Sequence, residues 1–381
     1  MAPHKQWLTA TWSAAIEAVN GRHLVKACLQ KHPSHPTRIL AIGKAASAMA
    51  LGALDALPPK SNTLIITKYK HTPNELKNRA TIKIIEAGHP TPDENSLQAG
   101  KAAIQFLQSA KSDEHLLLLI SGGASALLEQ LPPNISLTDL QTFNREMMAS
   151  AQPIEKINQT RKNLSTLKGG QLLANFTGNS VTVYAISDVR SNDIADIGSG
   201  IGMTTHLSPD IKSLTKIIAT NETARNAAAT FLKTHNIPII TNEETLYQDL
   251  HKAADQIAKQ LKQGPKGAYI WGGEPTLTLP ENPGTGGRNQ SLALAIAKEI
   301  KDMPNIAIIA AGTDGTDGPT PHAGGLIDST TFSPKNEAEK ALQNANATPF
   351  LANKNSLFQT GPTGTNVMDL VIAVKGMEDS Q

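Results

Sequence analysis

The chain contains very few cysteine and aromatic residues. Cys28 is the one cysteine among 381 residues, which excludes an intrachain disulfide and a cysteine-based metal site. Aromatic residues make up 4% of the chain, and this argues against the stacking platforms that bind single-stranded nucleic acid. Since the chain has no disulfide framework, we expect it in a reducing compartment and predict a cytoplasmic location.

Long apolar segments and a strong net charge are missing as well. No apolar run approaches the roughly 20 residues that a membrane-spanning helix needs. The N-terminal segment soon turns polar and lacks the apolar core of a secretory signal. The formal net charge of +2 at pH 7 makes no case for a nucleic-acid partner. We therefore predict neither a membrane nor a nucleic acid as partner.

Short apolar runs do occur, and they alternate with stretches of helical periodicity. Each run is flanked by glycine, aspartate or other polar residues, as is typical of buried parallel strands. The predicted strands are 38–42, 63–67, 82–86, 116–120, 181–186, 216–219, 268–271, 306–310 and 370–374. Helices are predicted between them, for example over 95–110 and 137–148. This alternation predicts an α/β fold with a doubly wound sheet and helices on both of its faces.

A chain of 381 residues is too long for one ordinary core, so two domains are expected. Apolar residues from Leu246 to Leu261 follow a helical repeat, with Thr241 or Asn242 as a candidate N-cap. Gly264 and the proline after it can end this helix. We place the domain boundary there and predict domains over 1–262 and 263–381.

Ligands of open parallel sheets bind beyond the carboxyl ends of the strands, so the loops after the strands are the candidate sites. Lys44 follows the first strand and Gly43, which places an ammonium group beside the start of a helix. The segment Ser121-Gly122-Gly123 follows the strand at 116–120, and its backbone N–H groups could surround a phosphate. Each loop alone is also compatible with a tight turn or a surface lysine.

Charged residues follow two further strands. Asp188 comes directly after the strand at 181–186, a usual place for a metal ligand or a base, although it could instead cap a turn. Arg288 lies among glycines after the strand at 268–271. Its guanidinium could hold a buried anion through two parallel hydrogen bonds.

The loop Gly312–Gly318 carries Asp314 and Asp317 on a glycine-rich turn after the strand at 306–310. These carboxylates could share a Mg²⁺ ion or hydrogen-bond a polyol, while a purely structural turn is the alternative. We rank Asp314 above Asp317 as a direct participant. The polar segment 360–369 precedes the last predicted strand and could close over a polar ligand.

Taken in order, these motifs resemble the glycerate 2-kinase family with a C-terminal MOFRL domain, whose members are often labelled hydroxypyruvate reductases. The similarity spans nearly the whole chain. The matching segments are 43–44, 88–93, 121–123, 168–170, 187–189, 273–274, 287–289, 312–318 and 361–366. Each motif alone is weak, but the ordered set is specific.

The resemblance implies a larger Rossmann-like domain, a second, smaller α/β domain, and an active site in the cleft between them. It implies phosphorylation of D-glycerate to 2-phosphoglycerate with ATP and Mg²⁺ as cofactors. Within this frame, the predicted catalytic residues are Lys44, Asp188, Arg288 and Asp314, and Asp188 and Asp314 are also the predicted metal ligands. The predicted nucleotide-binding residues are Ser121, Gly122, Gly123, Ser125, Lys168, Glu274, Asn289 and Asn366. A homo-oligomer is compatible with this prediction.

The chain also departs from the family pattern at several positions. Asn192 stands where the family usually has a carboxylate, and Ala124 replaces a glycine. Met368 stands where asparagine is common. Two alternatives to the kinase therefore remain open: an NAD(P)H-dependent hydroxypyruvate reductase, which the missing dinucleotide fingerprint disfavours, and a non-catalytic relative that binds sugar acids or nucleotides.

Overall fold

The structure is a computed structural model that describes residues 3–31, 36–57, 61–77, 79–149 and 164–376. The basic segment around Arg161 and Lys162, which could meet a phosphate or carboxylate but alone is better explained as a solvated face, lies outside these residues. The described residues form two compact units. The parallel-sheet unit comprises Asn20–Thr220 and Gly364–Asn366, and the mixed-sheet unit comprises the described residues of Met1–Val19, Asn221–Thr363 and Val367–Gln381.

The parallel-sheet unit contains a six-stranded sheet in the order β3-β2-β1-β4-β5-β6, with every neighbouring pair parallel. Its strands are β1 (Arg38–Ile42), β2 (Asn62–Lys68), β3 (Ile82–Ala87), β4 (His115–Ile120), β5 (Ser180–Ile186) and β6 (Lys212–Ala219). The strand order reverses between β1 and β4, as in the Rossmann fold, and this reversal creates a crevice at their carboxyl ends.

Helices cover both faces of this sheet. Side chains alternate along a strand, so Leu40 and Ile42 of β1 face one way and Ile39 and Ala41 face the other. All four are fully buried. The helices of this unit are α2 (Gly21–Lys31), α3 (Ala46–Ala56), α4 (Glu94–Gln108), α5 (Ala124–Leu127) and α6 (Leu137–Ala149). Leu40 and Ile42 pack with α4 in one cluster, while α3 packs on β1, β2 and β4. The predicted doubly wound, Rossmann-like sheet is confirmed.

The mixed-sheet unit contains a second six-stranded sheet in the order β11-β10-β9-β12-β8-β7. Its strands are β7 (Ile239–Leu246), β8 (Gly267–Gly273), β9 (Ile306–Gly312), β10 (Gly324–Asp328), β11 (Leu357–Phe358) and β12 (Asp369–Lys375). β12 runs antiparallel to both β8 and β9, and only β7 and β8 pair in parallel. The second α/β domain is thus present, but its sheet is mixed rather than parallel.

The helices of the mixed-sheet unit supply an alanine- and leucine-rich core layer. They are α1 (Pro3–Ala18), α7 (Asn221–Thr234), α8 (Leu250–Gln263), α9 (Arg288–Ile300), α10 (Lys335–Gln343) and α11 (Ala347–Asn353). The buried faces of α8 and α9 pack in one cluster with inward residues of β8, β9 and β12, including Trp271, Ile308 and Val371. This layer positions the N-terminus of α9, where Arg288 lies.

The helix predicted from Leu246 onwards begins later than expected. Leu246 is the last residue of β7, which pairs with β8, and Asp249 rather than Thr241 or Asn242 caps α8 by accepting from the amide N–H of His251. The strand was missed because its residues Thr241–Glu244 are polar and are half-buried or exposed in this edge strand, whereas sequence periodicity detects apolar strands.

The two compact units are discontinuous in sequence and do not follow the predicted boundary at 262/263. β7 and α8 lie before that boundary, yet they pair with β8 and pack on α9. The predicted division into domains over 1–262 and 263–381 stays a prediction. Within the described part of the chain, no helix has the length and apolar character needed to cross a bilayer.

Candidate functional site

The loops after β1 and β4 are hydrogen-bonded to each other at the switch point of the parallel sheet, where the strand order reverses. The register pairs Ile42 with Ile120, so both loops leave the sheet side by side. The amide N–H of Lys44 donates to the carbonyl oxygen of Gly122 at 2.9 Å, and that of Ala45 donates to the Ser121 hydroxyl at 3.0 Å. The predicted Lys44 and Ser121–Gly123 motifs are thus brought together in the crevice where this fold binds ligands.

Close approach explains the glycine before Lys44. Gly43 has φ +127°, and a Cβ atom built there would lie 2.2 Å from the Ser121 hydroxyl oxygen. Any side chain would therefore separate the two loops. α3 starts at Ala46 with Ala45 as an N-cap that offers no side-chain acceptor, so the buried Ser121 hydroxyl supplies the acceptor from the neighbouring loop.

Gly123 brings a further residue to the same loop. It adopts φ +85°, and a Cβ atom on it would lie 2.9 Å from the His89 ring and 3.3 Å from Cγ of Lys44. The stem of Lys44 and the imidazole of His89 therefore flank the same glycine. His89 belongs to the segment 88–93 that carries part of the resemblance, but sequence reasoning gave it no role.

Asp188 and Asn366 form a pair beside Gly122. The Asn366 side-chain amide donates to Asp188 Oδ2 at 3.1 Å, and a Cβ atom on Gly122 would lie 2.0 Å from that same oxygen. Asn366 is 6% exposed, while Asp188 is half-buried. The glycine thus leaves room for a carboxylate directly beside the loop that carries Ser121.

The hydroxyl of Ser125 is held by a serine in a left-handed backbone conformation. Its hydroxyl hydrogen-bonds the Ser199 hydroxyl at 2.9 Å, and Ser199 is buried with φ +58°. A left-handed conformation at a non-glycine residue costs on the order of 1 kcal/mol or more. Gly198 and Gly200 on either side are left-handed too, so a short left-handed turn supports the start of α5.

Lys168 lies in a buried ion pair. Its ammonium contacts Glu129, whose other carboxylate oxygen accepts from the Ser165 hydroxyl. The side chains of Lys168 and Glu129 are 2% and 0% exposed. This network supports a structural role for Lys168 better than contact with a nucleotide, which stays a prediction.

In the mixed-sheet unit, two carboxylates hold Arg288 at the first position of α9. Its Nε and Nη2 donate to the two oxygens of Asp369 at 2.6 and 3.1 Å, and Nη1 contacts Glu274 Oε1 at 2.5 Å. Asp369 is 1% exposed. Desolvation lowers the pKa of Arg288, but the two carboxylates outweigh it and raise the pKa overall. The guanidinium is therefore fixed in position and permanently charged.

Asp317 caps the helix that Arg288 begins. The N-cap residue of α9 is Gly287, which has no side chain, and Asp317 accepts from the amide N–H groups of Asn289 and Gln290 at 3.0 and 2.8 Å. A Cβ atom on Gly287 would lie 2.2 Å from the Asp317 carboxyl carbon. Desolvation raises the pKa of Asp317 to about 6, although these two amide bonds oppose the shift. The ranking of Asp314 above Asp317 as a direct participant stays a prediction.

Asp314 closes a turn within its own loop. Its Oδ1 accepts from the amide N–H and the hydroxyl of Thr316 at 3.0 and 3.1 Å, and the side chain is 8% exposed. Searched over the described residues, the chain holds no group of three or more acidic, histidine or cysteine side chains that could bind a metal. A site at Asp188 or Asp314 would need further oxygen ligands, and phosphate groups are the usual ones for Mg²⁺.

Most of the predicted residues thus fall into two groups, one in each unit. The first holds Lys44, Ser121, Gly122, Gly123, Ser125, Asp188 and Asn366, and the second holds Arg288, Glu274 and Asn289. Lys168 lies apart in its ion pair with Glu129, and Asp314 bonds within its own loop. Their roles stay predictions. Sequence reasoning missed Asp369 as the partner of Arg288. The signal that could have found it is a carboxylate at the first position of a strand, directly before five apolar residues.

Two family models match the chain. The domain of unknown function DUF4147 matches residues 7–233, and the MOFRL family matches residues 267–369. The gap between the two matches contains the boundary predicted at 262/263.

Relatives and a solved structure resemble the chain over most of its length. A glycerate 2-kinase from Pyrococcus horikoshii is 33% identical over 88% of this chain and 86% of its own length. A putative hydroxypyruvate reductase from Agrobacterium vitis is 29% identical over 96% and 93%. The crystal structure of a glycerate kinase from Thermotoga maritima matches 98% of this chain and 99% of its own, with a TM-score of 0.83 and 29% identity. The chain belongs to the glycerate 2-kinase family, in which a DUF4147 domain precedes a MOFRL domain.

Proposed function

We propose that the chain is a kinase that transfers the terminal phosphoryl group of ATP to the 2-hydroxyl of D-glycerate, giving ADP and 2-phosphoglycerate. Family membership supports the reaction class. The observation that carries the proposal is the interlocked pair of loops at the switch point, which places Lys44 beside Ser121–Gly123. Phosphoryl transfer needs positioned positive charge and N–H donors more than covalent chemistry, and these loops offer both.

The Lys44 ammonium would neutralise charge that develops on the transferred phosphoryl group. Its main chain is fixed by the hydrogen bond to Gly122, and Cγ of its stem lies beside Gly123, so the backbone that carries the charge is already in place. The loop at Ser121–Gly123 would line the nucleotide phosphates. Ser125 and Asn366 would complete that side of the site.

Asp188 fits a magnesium ion. Its carboxylate is half-buried, is oriented by Asn366, and packs against Gly122, where a Cβ atom would clash with it. Mg²⁺ is usually bound by one or two carboxylates together with substrate phosphates. When bound, the ion would neutralise phosphate charge. Asp314 is the second candidate ligand.

Arg288 would hold the carboxylate of glycerate or a phosphate. A guanidinium has five N–H donors, and three of them account for the contacts with Asp369 and Glu274. The side chain remains 35% exposed, so an anion can reach the other two. As the substrate oxygen bonds to phosphorus, the bond to ADP breaks and the hydroxyl proton passes to a carboxylate, for which Asp188 and Asp314 are the candidates.

One assay distinguishes the three functions. The purified protein is incubated with D-glycerate, ATP and Mg²⁺, and separately with hydroxypyruvate and NADH or NADPH. ADP release with formation of 2-phosphoglycerate, identified by phosphorus NMR, is the expected result. Cofactor oxidation without ADP release would establish the reductase instead. Ligand binding without any turnover over a panel of small hydroxy acids would indicate a non-catalytic relative.

Several finer expectations stay predictions. They are the location of the active site in a cleft between the domains, the cytoplasmic location, the absence of membrane and nucleic-acid partners, and assembly into a homo-oligomer.

A further inference from the structure

A strained turn precedes the strand that carries Asp369. Met368 has φ +66° and is 3% exposed, so a bulky buried side chain occupies a conformation that favours glycine or asparagine. Such a residue persists only where its surroundings fix it. The question is which groups fix this turn, because Asp369 follows directly and holds Arg288.

Thr313 fixes the turn from the loop after β9. Its amide N–H and its hydroxyl donate to the Met368 carbonyl oxygen at 3.0 and 2.6 Å, and the hydroxyl accepts from the Val367 amide at 2.8 Å. Thr313 is fully buried. These bonds hold the peptide group before Val367 and the one after Met368 but leave the Asp369 carbonyl to other donors.

Asn221, the first residue of α7, fixes the turn from another element. Its side-chain amide donates to the carbonyl oxygens of Val367 at 2.8 Å and of Asp369 at 3.1 Å. One NH₂ group thus bridges the residues before and after Met368. Asn221 is 0% exposed, so no solvent can replace these bonds.

The orientation of the Asn221 amide is itself determined. Arg225 donates from Nε to Asn221 Oδ1 at 2.9 Å, while its other nitrogens bind Asn242 at 2.7 Å and Glu244 at 3.1 Å. A Cβ atom on Gly272 would lie 1.7 Å from Asn221 Oδ1, so the glycine in β8 makes room for this amide. The donor NH₂ must therefore point to the turn.

We propose that Asn221 is a positioning residue for Arg288: it holds the turn at Met368 so that Asp369 presents both carboxylate oxygens to the guanidinium. This rests on the proposed function only in so far as Arg288 contacts the substrate. The expected consequence is that loss of the Asn221 donor lowers turnover through Arg288, rather than through a general loss of folded protein.

Asn221→Asp tests this with minimal change of shape. The variant keeps an oxygen for Arg225 but replaces the NH₂ donor by an oxygen that faces two carbonyl groups. Asn221→Ser is the milder second variant, and both residues are well tolerated at a helix start. Asn226→Asp is the matched control, since it places the same charge on an exposed residue of α7 whose contact is with Asn242.

Two measurements decide the outcome. In the first, kcat/KM for glycerate is measured for Asn221→Asp, Arg288→Lys and the double variant. We expect about a tenfold loss for Asn221→Asp alone, and less than about a twofold further loss on top of Arg288→Lys, because coupled residues are not additive. If the loss of kcat/KM in the double variant equals the product of the losses in the two single variants, the proposal is overturned.

The second measurement does not depend on activity. In protein labelled with ¹⁵N-arginine, the Nε–H signal of Arg288, assigned by its loss in Arg288→Lys, reports the contact with Asp369. We expect faster solvent exchange of this proton in Asn221→Asp and Asn221→Ser but not in Asn226→Asp. An unchanged signal in folded Asn221 variants would refute the positioning role. If the wild type shows no kinase activity, the proposed function fails, while this signal still decides the proposal.

Discussion

Two helices that follow sheet strands, α3 and α9, begin without a side-chain cap of their own and receive one from another loop. At α3 the acceptor is the neutral hydroxyl of Ser121, and at α9 it is the carboxylate of Asp317. The N-terminus of a helix carries partial positive charge. A carboxylate cancels that charge and a hydroxyl does not. The start of α3 therefore remains suited to a phosphate. At α9 the Asp317 carboxylate already occupies the helix N-terminus, so Arg288 is the group that can hold an anion.

The largest expected effect tests the start of α3 as the phosphate site. Lys44→Ala should lower kcat by on the order of a hundredfold or more, because the charge on the transferred phosphoryl group loses its partner. Steady-state kinetics with D-glycerate and ATP measure this. Lys101→Ala removes an exposed lysine from α4 and serves as the control. Wild-type turnover for Lys44→Ala would show that Lys44 takes no part in the mechanism. The start of α3 would then have no support as the phosphate site.

The next effect tests Arg288 as the anion-binding group at α9. Arg288→Lys keeps the charge but cannot bind Asp369 through two parallel bonds. We expect kcat/KM to fall by about tenfold to a hundredfold, because the charge-assisted contact between residue 288 and the substrate anion is misplaced. The melting temperature is measured in parallel. A drop in melting temperature with unchanged kcat/KM would assign Arg288 to stability alone.

A smaller effect tests the carboxylate cap through pH. The pKa of Asp317 is raised from 3.8 to about 6, so its contribution to stability is present below the unfolded value and is lost as pH rises through about 6. Between pH 5 and 7.5 this amounts to about 1.4 kcal/mol. Urea unfolding of wild type and Asp317→Asn at both pH values measures it. We expect the free energy of unfolding of the wild type, relative to that of the variant, to fall by this amount from pH 5 to pH 7.5. A difference between the two proteins that does not change with pH would contradict the raised pKa.

The smallest effect tests the neutral cap. Ser121→Ala removes the acceptor for the Ala45 amide and should cost about 1 kcal/mol of folding free energy, as loss of a capping hydroxyl usually does. Since the hydroxyl carries no charge, this cost should not change between pH 5 and 7.5. A cost that varied with pH as for Asp317 would show that the two helix starts do not differ in the way described.

The sequence predicted the parallel sheet well because its strands are short apolar runs separated by glycine and aspartate. It also identified the loops at Lys44 and Ser121 as candidate sites, since ligands of a parallel sheet bind beyond the carboxyl ends of its strands, but it did not predict that these two loops are neighbours. It could not predict β7, whose half-buried polar residues lack an apolar pattern. Nor could it predict the antiparallel direction of β12, because strand direction depends on the path of the chain between strands and not on side-chain pattern.

The charged contacts of Arg288 were predicted only in part. Arg288 was identified by its glycine neighbours, but its partner Asp369 is 81 residues away and the cap Asp317 is 28 residues from Asn289. Local patterns carry no information about such pairs. No sequence pattern indicated a role for Asn221, because an asparagine at the start of a helix is common for reasons of capping alone.

The left-handed turn at Met368 has a consequence for how the chain can change. Side chains of a strand alternate between its two faces, so Asp369 shares a face with Val371 and Ala373, which pack in the core below α9. Loss or gain of one residue between Asn366 and Asp369 would turn every side chain of β12 to the opposite face and leave Arg288 opposite an apolar residue. A change in the length of this segment would therefore reorient the whole strand.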